Sequence, residues 1–95
     1  MKKNQTILIG GNNYKYKYLG KSKDGSRMHG GLKVIEITEL DGLDVTQSIF
    51  HELFHAVCYE HPANAKLKEL FDDEEAIEIL TKELTGCLRQ LGIVR

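Results

Sequence analysis

His51-Glu52-Leu53-Phe54-His55 reads H-E-x-x-H, a spacing suited to metal-assisted hydrolysis. On a helix, His51 and His55 lie one turn apart on one face, so two imidazoles can share one ion. Zinc takes about four ligands, and a catalytic site keeps one position for water. Glu52 lies about 100° round the helix from His51. It can therefore meet a water on the ion without being a ligand. Zinc lowers the pKa of such a water to about 7. Glu52 is then placed to accept the proton and pass it to a leaving amine. A glutamate between two histidines beside an apolar stripe is also costly to bury without a purpose.

A third ligand is expected from the acidic run Asp72-Asp73-Glu74-Glu75. On a helical wheel through Ile77 and Leu80, Asp73 and Glu74 share the core face. Glu75 falls nearly opposite, and Glu78 lies well off the stripe. Glu74 has the longer reach and is the choice for the third ligand. Asp73 is its first alternative, with Glu75 and Glu78 behind. Asp72 and Glu75 read as plain N-terminal capping. Cys58, three residues after His55, falls on the histidine face but reads as a buried structural thiol. His61 reads as a helix-terminal histidine and His29 as a surface one. A donor for the oxyanion of the transition state is also needed. Tyr59, His29, Arg27 and the tyrosines near the N-terminus are its candidates.

The elements that must hold these residues follow from periodicity. Residues 6–9 read as a strand, Gly10-Gly11-Asn12-Asn13 as a turn, and Tyr14–Leu19 as a strand alternating Tyr with Lys. The glycine-rich stretch 20–31 reads as a loop. Leu32–Thr38 returns to strand character, with a phase shift between Val34 and Ile35 that fits a bulge or burial on both faces. A connection, 39–44, leads to a helix over Val45–His61, capped by Asp44 or Thr46 and stopped by Pro62. Its apolar stripe is Ile49, Phe50, Leu53, Phe54 and Val57. Residues 63–71 form a short helix or an ordered loop. A second long helix, Asp73–Leu91, carries the stripe Ile77, Leu80, Leu84, Leu88 and Leu91 and ends at Gly92. The order predicts an α+β fold, with a small antiparallel β-sheet of about three strands packed against two long helices.

Composition sets the outer bounds. The chain has 95 residues, 41% hydrophobic and 28% charged, with a net charge of −1. That length suits one domain, 1–95, with one modest core. The charge gives no reason to expect nucleic-acid or membrane binding. The basic run Lys15, Lys17, Lys21 and Lys23 reads as a solvated strand face. The N-terminus starts basic, Met1-Lys2-Lys3, but Ile7-Leu8-Ile9 is too short for the apolar core of a signal peptide. Two cysteines, Cys58 and Cys87, are too few for a disulfide scaffold, and a reducing, cytoplasmic setting is expected.

The stretch Gln47-Ser48-Ile49-Phe50-His51-Glu52-Leu53-Phe54-His55-Ala56-Val57 resembles the "LHELxHA" helix of small phage- and prophage-type zinc metallopeptidases. These are relatives of the ImmA/IrrE group and, more distantly, of the zincins. Glu74, Ile77, Leu80 and Leu84 are similar to their second helix, and Lys33–Thr38 to their "I-x-I" strand. The likeness spans most of residues 32–91. It implies a single minimal zincin-like domain with a gluzincin-type site. Its zinc ligands would be His51, His55 and Glu74, with Glu52 as general base. It also implies that the strand near Ile35 forms the cleft edge, where an extended peptide adds as another strand. No family signature for the oxyanion donor is visible.

The leading functional expectation is a zinc-dependent peptidase acting on a protein or peptide through a metal-bound water. The alternative is a zincin-like metal-binding interaction module of phage or mobile-element origin without peptidase activity. Ninety-five residues leave little wall for a deep cleft, which favours the module. Glu52 favours the peptidase, because zinc binding alone does not need it. A purely structural helix pair is the third reading. Oligomeric state is not encoded in any pattern of the chain.

Overall fold

Gly10 and Gly11 both take positive φ, 56° and 83°, as a two-residue type I′ turn requires. They join β1 (Asn4–Ile9) to β2 (Asn12–Lys21) as an antiparallel hairpin with Ile9 opposite Asn12. The computed structural model describes residues 4–40 and 42–94. The basic start Met1-Lys2-Lys3, Asp41 in the connection before the first helix, and Arg95 lie outside them. Along β2 the alternation acts as expected: Tyr14 and Tyr16 are buried, and Lys15 is exposed.

Two further strands, β3 (Arg27–His29) and β4 (Val34–Glu39), complete a four-stranded sheet in the order β1-β2-β4-β3. This corrects the expected three-stranded antiparallel sheet. β2 and β4 run parallel, with Tyr16 opposite Ile35 and Tyr18 opposite Ile37. The chain leaves β2, passes to the far side of β4, and returns through β3, which pairs antiparallel with β4. The stretch expected to be all loop therefore contains an edge strand. Gly30 makes the return possible. A Cβ there would sit 2.5 Å from the Tyr59 ring, so only glycine lets this segment lie against the end of the first helix. The irregularity foreseen at Val34/Ile35 falls instead on β2, between Tyr18 and Gly20.

Three helices follow: α1 (Val45–Tyr59), α2 (Ala65–Phe71) and α3 (Glu74–Gln90), so the stretch 63–71 takes the short-helix form of its two expected alternatives. Asp44 caps α1 by accepting from the Thr46 and Gln47 N–H groups at 2.9 and 3.4 Å. Glu60 closes α1, so His61 and Pro62 lie beyond it. Asn64 caps α2, and Asp73 caps α3 through the Ala76 N–H. Asp72 is the last cap of α2, which corrects the Asp72–Glu75 capping box. Gly92 follows α3, with its N–H on the Arg89 carbonyl and the Ile93 N–H on that of Leu88.

The core lies between the sheet and α1. Ile9, Tyr14, Tyr16, Ile35, Ile37 and Ala56 form it, with Val45, Ile49 and Leu53 packed against it. Val45, Ile49, Leu53 and Ala56 recur at helical spacing and set the inward face of α1. That face is rotated from the expected stripe: Val57 is exposed, and Glu52 is buried. α3 shows a similar rotation. Ile77, Thr81 and Thr85 are buried, and Leu80, Leu84 and Leu91 are exposed. Leu91 is the most open of the three, at 71%. The architecture is α+β: a small mixed sheet packed against helices. No helix among the described residues is long and apolar enough to cross a membrane.

Candidate metal centre

His51 and His55 project from the middle of α1, where flanking turns hold them, toward the start of α3. Their rings meet edge to face, with centroids 4.9 Å apart, and their Nε2 atoms are 3.2 Å apart. Glu74, the first residue of α3, reaches both: its Oε1 lies 2.5 Å from His55 Nε2, and its Oε2 lies 3.1 Å from His51 Nε2. One ligand atom from each of the three residues falls within 4.8 Å of the others. Asp73, the first alternative, is used as the α3 cap. Glu78 stands on the other side of His51, with Oε1 3.9 Å from Nδ1. Glu75 is exposed.

The short joint between α2 and α3 explains the convergence. Phe71, the last residue of α2, packs its ring edge to face on His55 at 5.4 Å. Asp73 then caps α3 and starts it with Glu74 pointing back at α1. Both imidazoles are mostly buried, while the Glu74 side chain is 64% exposed. The centre is therefore walled on the α1 side and open at the carboxylate.

The donor set could hold a metal ion such as zinc. Two nitrogens bound at about 2.05 Å to one tetrahedral ion stand about 3.3 Å apart; the imidazole pair is at 3.2 Å, while Glu74 Oε1, 2.5 Å from His55 Nε2, would draw back to admit an ion. Two histidines and one carboxylate also leave a fourth position, the open arrangement of catalytic zinc.

Glu52 shares α1 with the two histidines but faces inward, with 7% of its surface exposed. Burial, and then the nearby Glu74 charge, push its carboxyl up to about 7. With His51 it lines a cavity of about 280 Å³ between α1, α3 and the end of the sheet. Glu52 thus borders the same cavity as His51 and lies near enough to Glu74 to feel its charge.

The remaining candidates go elsewhere. Arg27 and His29 both engage Glu36, at 3.3 and 3.2 Å. Tyr14 donates to Glu60, Tyr16 lies in the core, and Tyr18 hydrogen-bonds with Glu39. Tyr59 comes nearest, through Phe71, whose ring touches both Tyr59 and His55. Cys58 is buried and outside the group of donor atoms, and burial raises its thiol pKa. His61 is exposed. The strand near Ile35 is not the cleft edge: β4 is flanked by β2 and β3, and the free edges are β1 and β3.

Sequence reasoning missed Thr81. Its side chain lines the same cavity, and its hydroxyl is buried without a hydrogen-bond partner among the described residues. The only sequence signal was its place one turn after Ile77, and the leucine stripe masked it.

The chain matches no protein-family model, no curated protein and no solved structure. Fold and site thus define an α+β protein with a candidate His-His-Glu metal centre.

Proposed function

We propose that this chain is a zinc-dependent peptidase, with His51, His55 and Glu74 as ligands and Glu52 as general base. The observation that carries the reading is the convergence of both Nε2 atoms and the Glu74 carboxylate beside a buried Glu52. The motif resemblance points the same way. When bound, zinc supplies Lewis acidity to a carbonyl and a water, and its charge favours the ionised form of Glu52. Glu52 accepts a proton from a water in the cavity and returns it to the departing amine. Glu78 faces Nδ1 of His51 and helps to orient that ring. Phe71 fixes the His55 ring by packing. The substrate is a protein or peptide that reaches the centre from the open Glu74 side. Two unpaired thiols, Cys58 and Cys87, suit a cytoplasmic setting.

The interaction-module reading has one observation in its favour: Leu80 and Leu84 on α3 are partly exposed, at 45% and 39%. Metal analysis and peptide cleavage separate the two. Protein purified without added zinc should carry about one zinc per chain, lost in His51→Ala. Glu52→Gln should keep the metal and lose roughly 10²–10⁴-fold in kcat/KM on a mixed peptide library. Metal-free protein would remove both readings. Full activity in Glu52→Gln would remove the general base, and a zinc-loaded chain without cleavage would leave the module.

A further inference from the structure

A second cavity, of about 610 Å³, lies at the C-terminal end of α1. That volume falls within the range of about 300–1,000 Å³ typical of ligand pockets. Cys58, Tyr59 and Glu60 line it from α1 and its cap, and Lys68, Phe71 and Asp72 from α2 and its cap. Pro62 and Lys33 complete the wall. The cavity beside Glu52 takes in earlier residues of α1, from Gln47 to Glu52. Along α1 the two therefore flank the metal centre, one reaching His51 and the other beginning just beyond His55.

Phe71 joins the second cavity to the centre. Its ring lines the cavity, packs on His55 at 5.4 Å and meets the Tyr59 ring at 6.2 Å. An extended peptide advances about 3.3 Å per residue. A peptide bound at the three donor atoms thus comes within reach of this cavity about three residues from its scissile bond or closer.

The walls suit an aromatic guest. Tyr59 is 41% exposed and Phe71 half-buried, so both rings offer open surface beside Pro62 and the Cys58 thiol. A guest ring gains offset or edge-to-face contact with them, and a sulfur contact with Cys58, beyond the burial that an aliphatic side chain would gain. Charge gives no rival guest a net attraction. Lys33 and Lys68 balance Glu60 and Asp72. Glu60 is already engaged by Asn12, Tyr14 and Lys33, with only 4% of its side chain exposed.

We propose that this cavity holds a phenylalanine or tyrosine side chain of the peptide bound at the metal centre. It thereby sets the substrate class: peptides with an aromatic residue a short way from the scissile bond. The inference rests on the peptidase reading for the bound peptide, and on the cavity walls for the aromatic preference.

Two titrations test the two parts separately. N-acetyl amides of Phe, Leu and Ala carry no metal-binding group and are titrated into the full chain by NMR. Phe should bind at least about tenfold tighter than Ala and about two- to tenfold tighter than Leu. Its ring should show nuclear Overhauser contacts to Tyr59 and Phe71. Tyr59→Leu should remove the preference for Phe over Leu, and Tyr59→Phe should keep it. Peptide hydroxamates, which anchor on zinc, are then titrated calorimetrically into the zinc-loaded chain. They extend to either side of the anchor, with a single Phe moved through an alanine background. One position should bind at least about tenfold tighter than alanine. Equal binding of Phe and Leu, or ring contacts outside the cavity, overturns the aromatic site. Zinc uptake with no favoured Phe position overturns the proposal and leaves the metal centre standing. A chain that takes up no zinc overturns the peptidase reading and the proposal with it.

Discussion

Glu60 ties together parts of the chain that are far apart in sequence. Its carboxylate accepts from Asn12 Nδ2, Tyr14 Oη and Lys33 Nζ, each at 2.5 Å, although only 4% of the side chain is exposed. Lys33 Nζ also stands over the Tyr14 and Tyr59 rings, at 5.5 and 5.1 Å. The Lys33 hydrogen bond, then that of Tyr14, holds the Glu60 carboxyl below its ordinary range. A depressed folded-state value stabilises the fold above the unfolded pKa, and the gain disappears as pH falls through the folded one. Urea titrations should therefore show stability falling below about pH 4.5, with a smaller acid-side loss in Glu60→Gln. Equal loss in both proteins would assign the acid sensitivity elsewhere. Thr81 makes the opposite case, a buried hydroxyl with no partner among the described residues. Thr81→Val should raise stability by about 1 kcal/mol in the same titrations, and a destabilised variant would mean the hydroxyl has a partner. Residues with local spacing were readable from the chain alone. His51, Glu52 and His55 needed only the helical repeat. Glu74 was placed by a wheel through Ile77 and Leu80, and it holds because the line actually buried, Ile77 with Thr81, puts Glu74 on the same face. Glu60 was not readable, because its partners, Asn12 and Tyr14 on β2 and Lys33 in the loop before β4, lie far from it in the chain.

Helix ends were easier to foresee than helix faces. Asp44 was one of two expected caps for α1, and its carboxylate does more than cap: Oδ2 meets Arg89 Nη1, from the far end of α3, at 2.5 Å. The Arg89 hydrogen bond is the largest influence lowering the Asp44 pKa. The start of α1 is thereby tied to the end of α3. Asp44→Ala should cost about 1 kcal/mol from the cap and a few tenths more from the exposed pair. Asp44→Asn keeps an equally good cap and should lose only the smaller part. Chemical denaturation of the two variants checks this, and equal losses would show that the cap contributes little. The faces were misjudged for a common reason. Periodicity weighs leucine above threonine, so α3 was expected to bury Leu80 and Leu84. The structure buries Thr81 and Thr85 and leaves the leucines outside. On α1 the same weighting missed Ala56, which is small enough to sit fully buried against the sheet. The strands erred through topology. Both β-rich stretches were found, but the parallel pairing of β2 with β4 depends on a crossing between distant segments. No local pattern encodes it, and the three residues of β3 were hidden among glycines.

Taken whole, the molecule holds its candidate centre between α1 and α3, two helices separated in the chain by α2. α1 is anchored to the sheet through Ile49, Leu53 and Ala56. Glu74 belongs to α3, which α2 joins to α1 through a path that turns at His61–Asn64 and again at Asp72–Asp73. An ion shared by His51, His55 and Glu74 would link the sheet-bound helix to the later pair. Ligand atoms already within 4.8 Å would need only modest rearrangement, so much of the binding energy would go into holding the helices together. A ligand bound only by the folded state stabilises it by about 2.7 kcal/mol at one hundred times Kd. For a domain of this size, that corresponds to a rise in Tm of roughly 10–20 °C. Calorimetric melting with zinc and with a chelator should differ by that order. His51→Ala should show almost no difference, because it breaks the nitrogen pair and leaves only His55 and Glu74 as donors. Glu74→Gln should fall between them, since a neutral amide oxygen is the weaker ligand and both imidazoles remain. Identical melts of the wild-type chain with zinc and with chelator would mean that no ion couples these helices. The convergence of His51, His55 and Glu74 would then be a feature of packing alone.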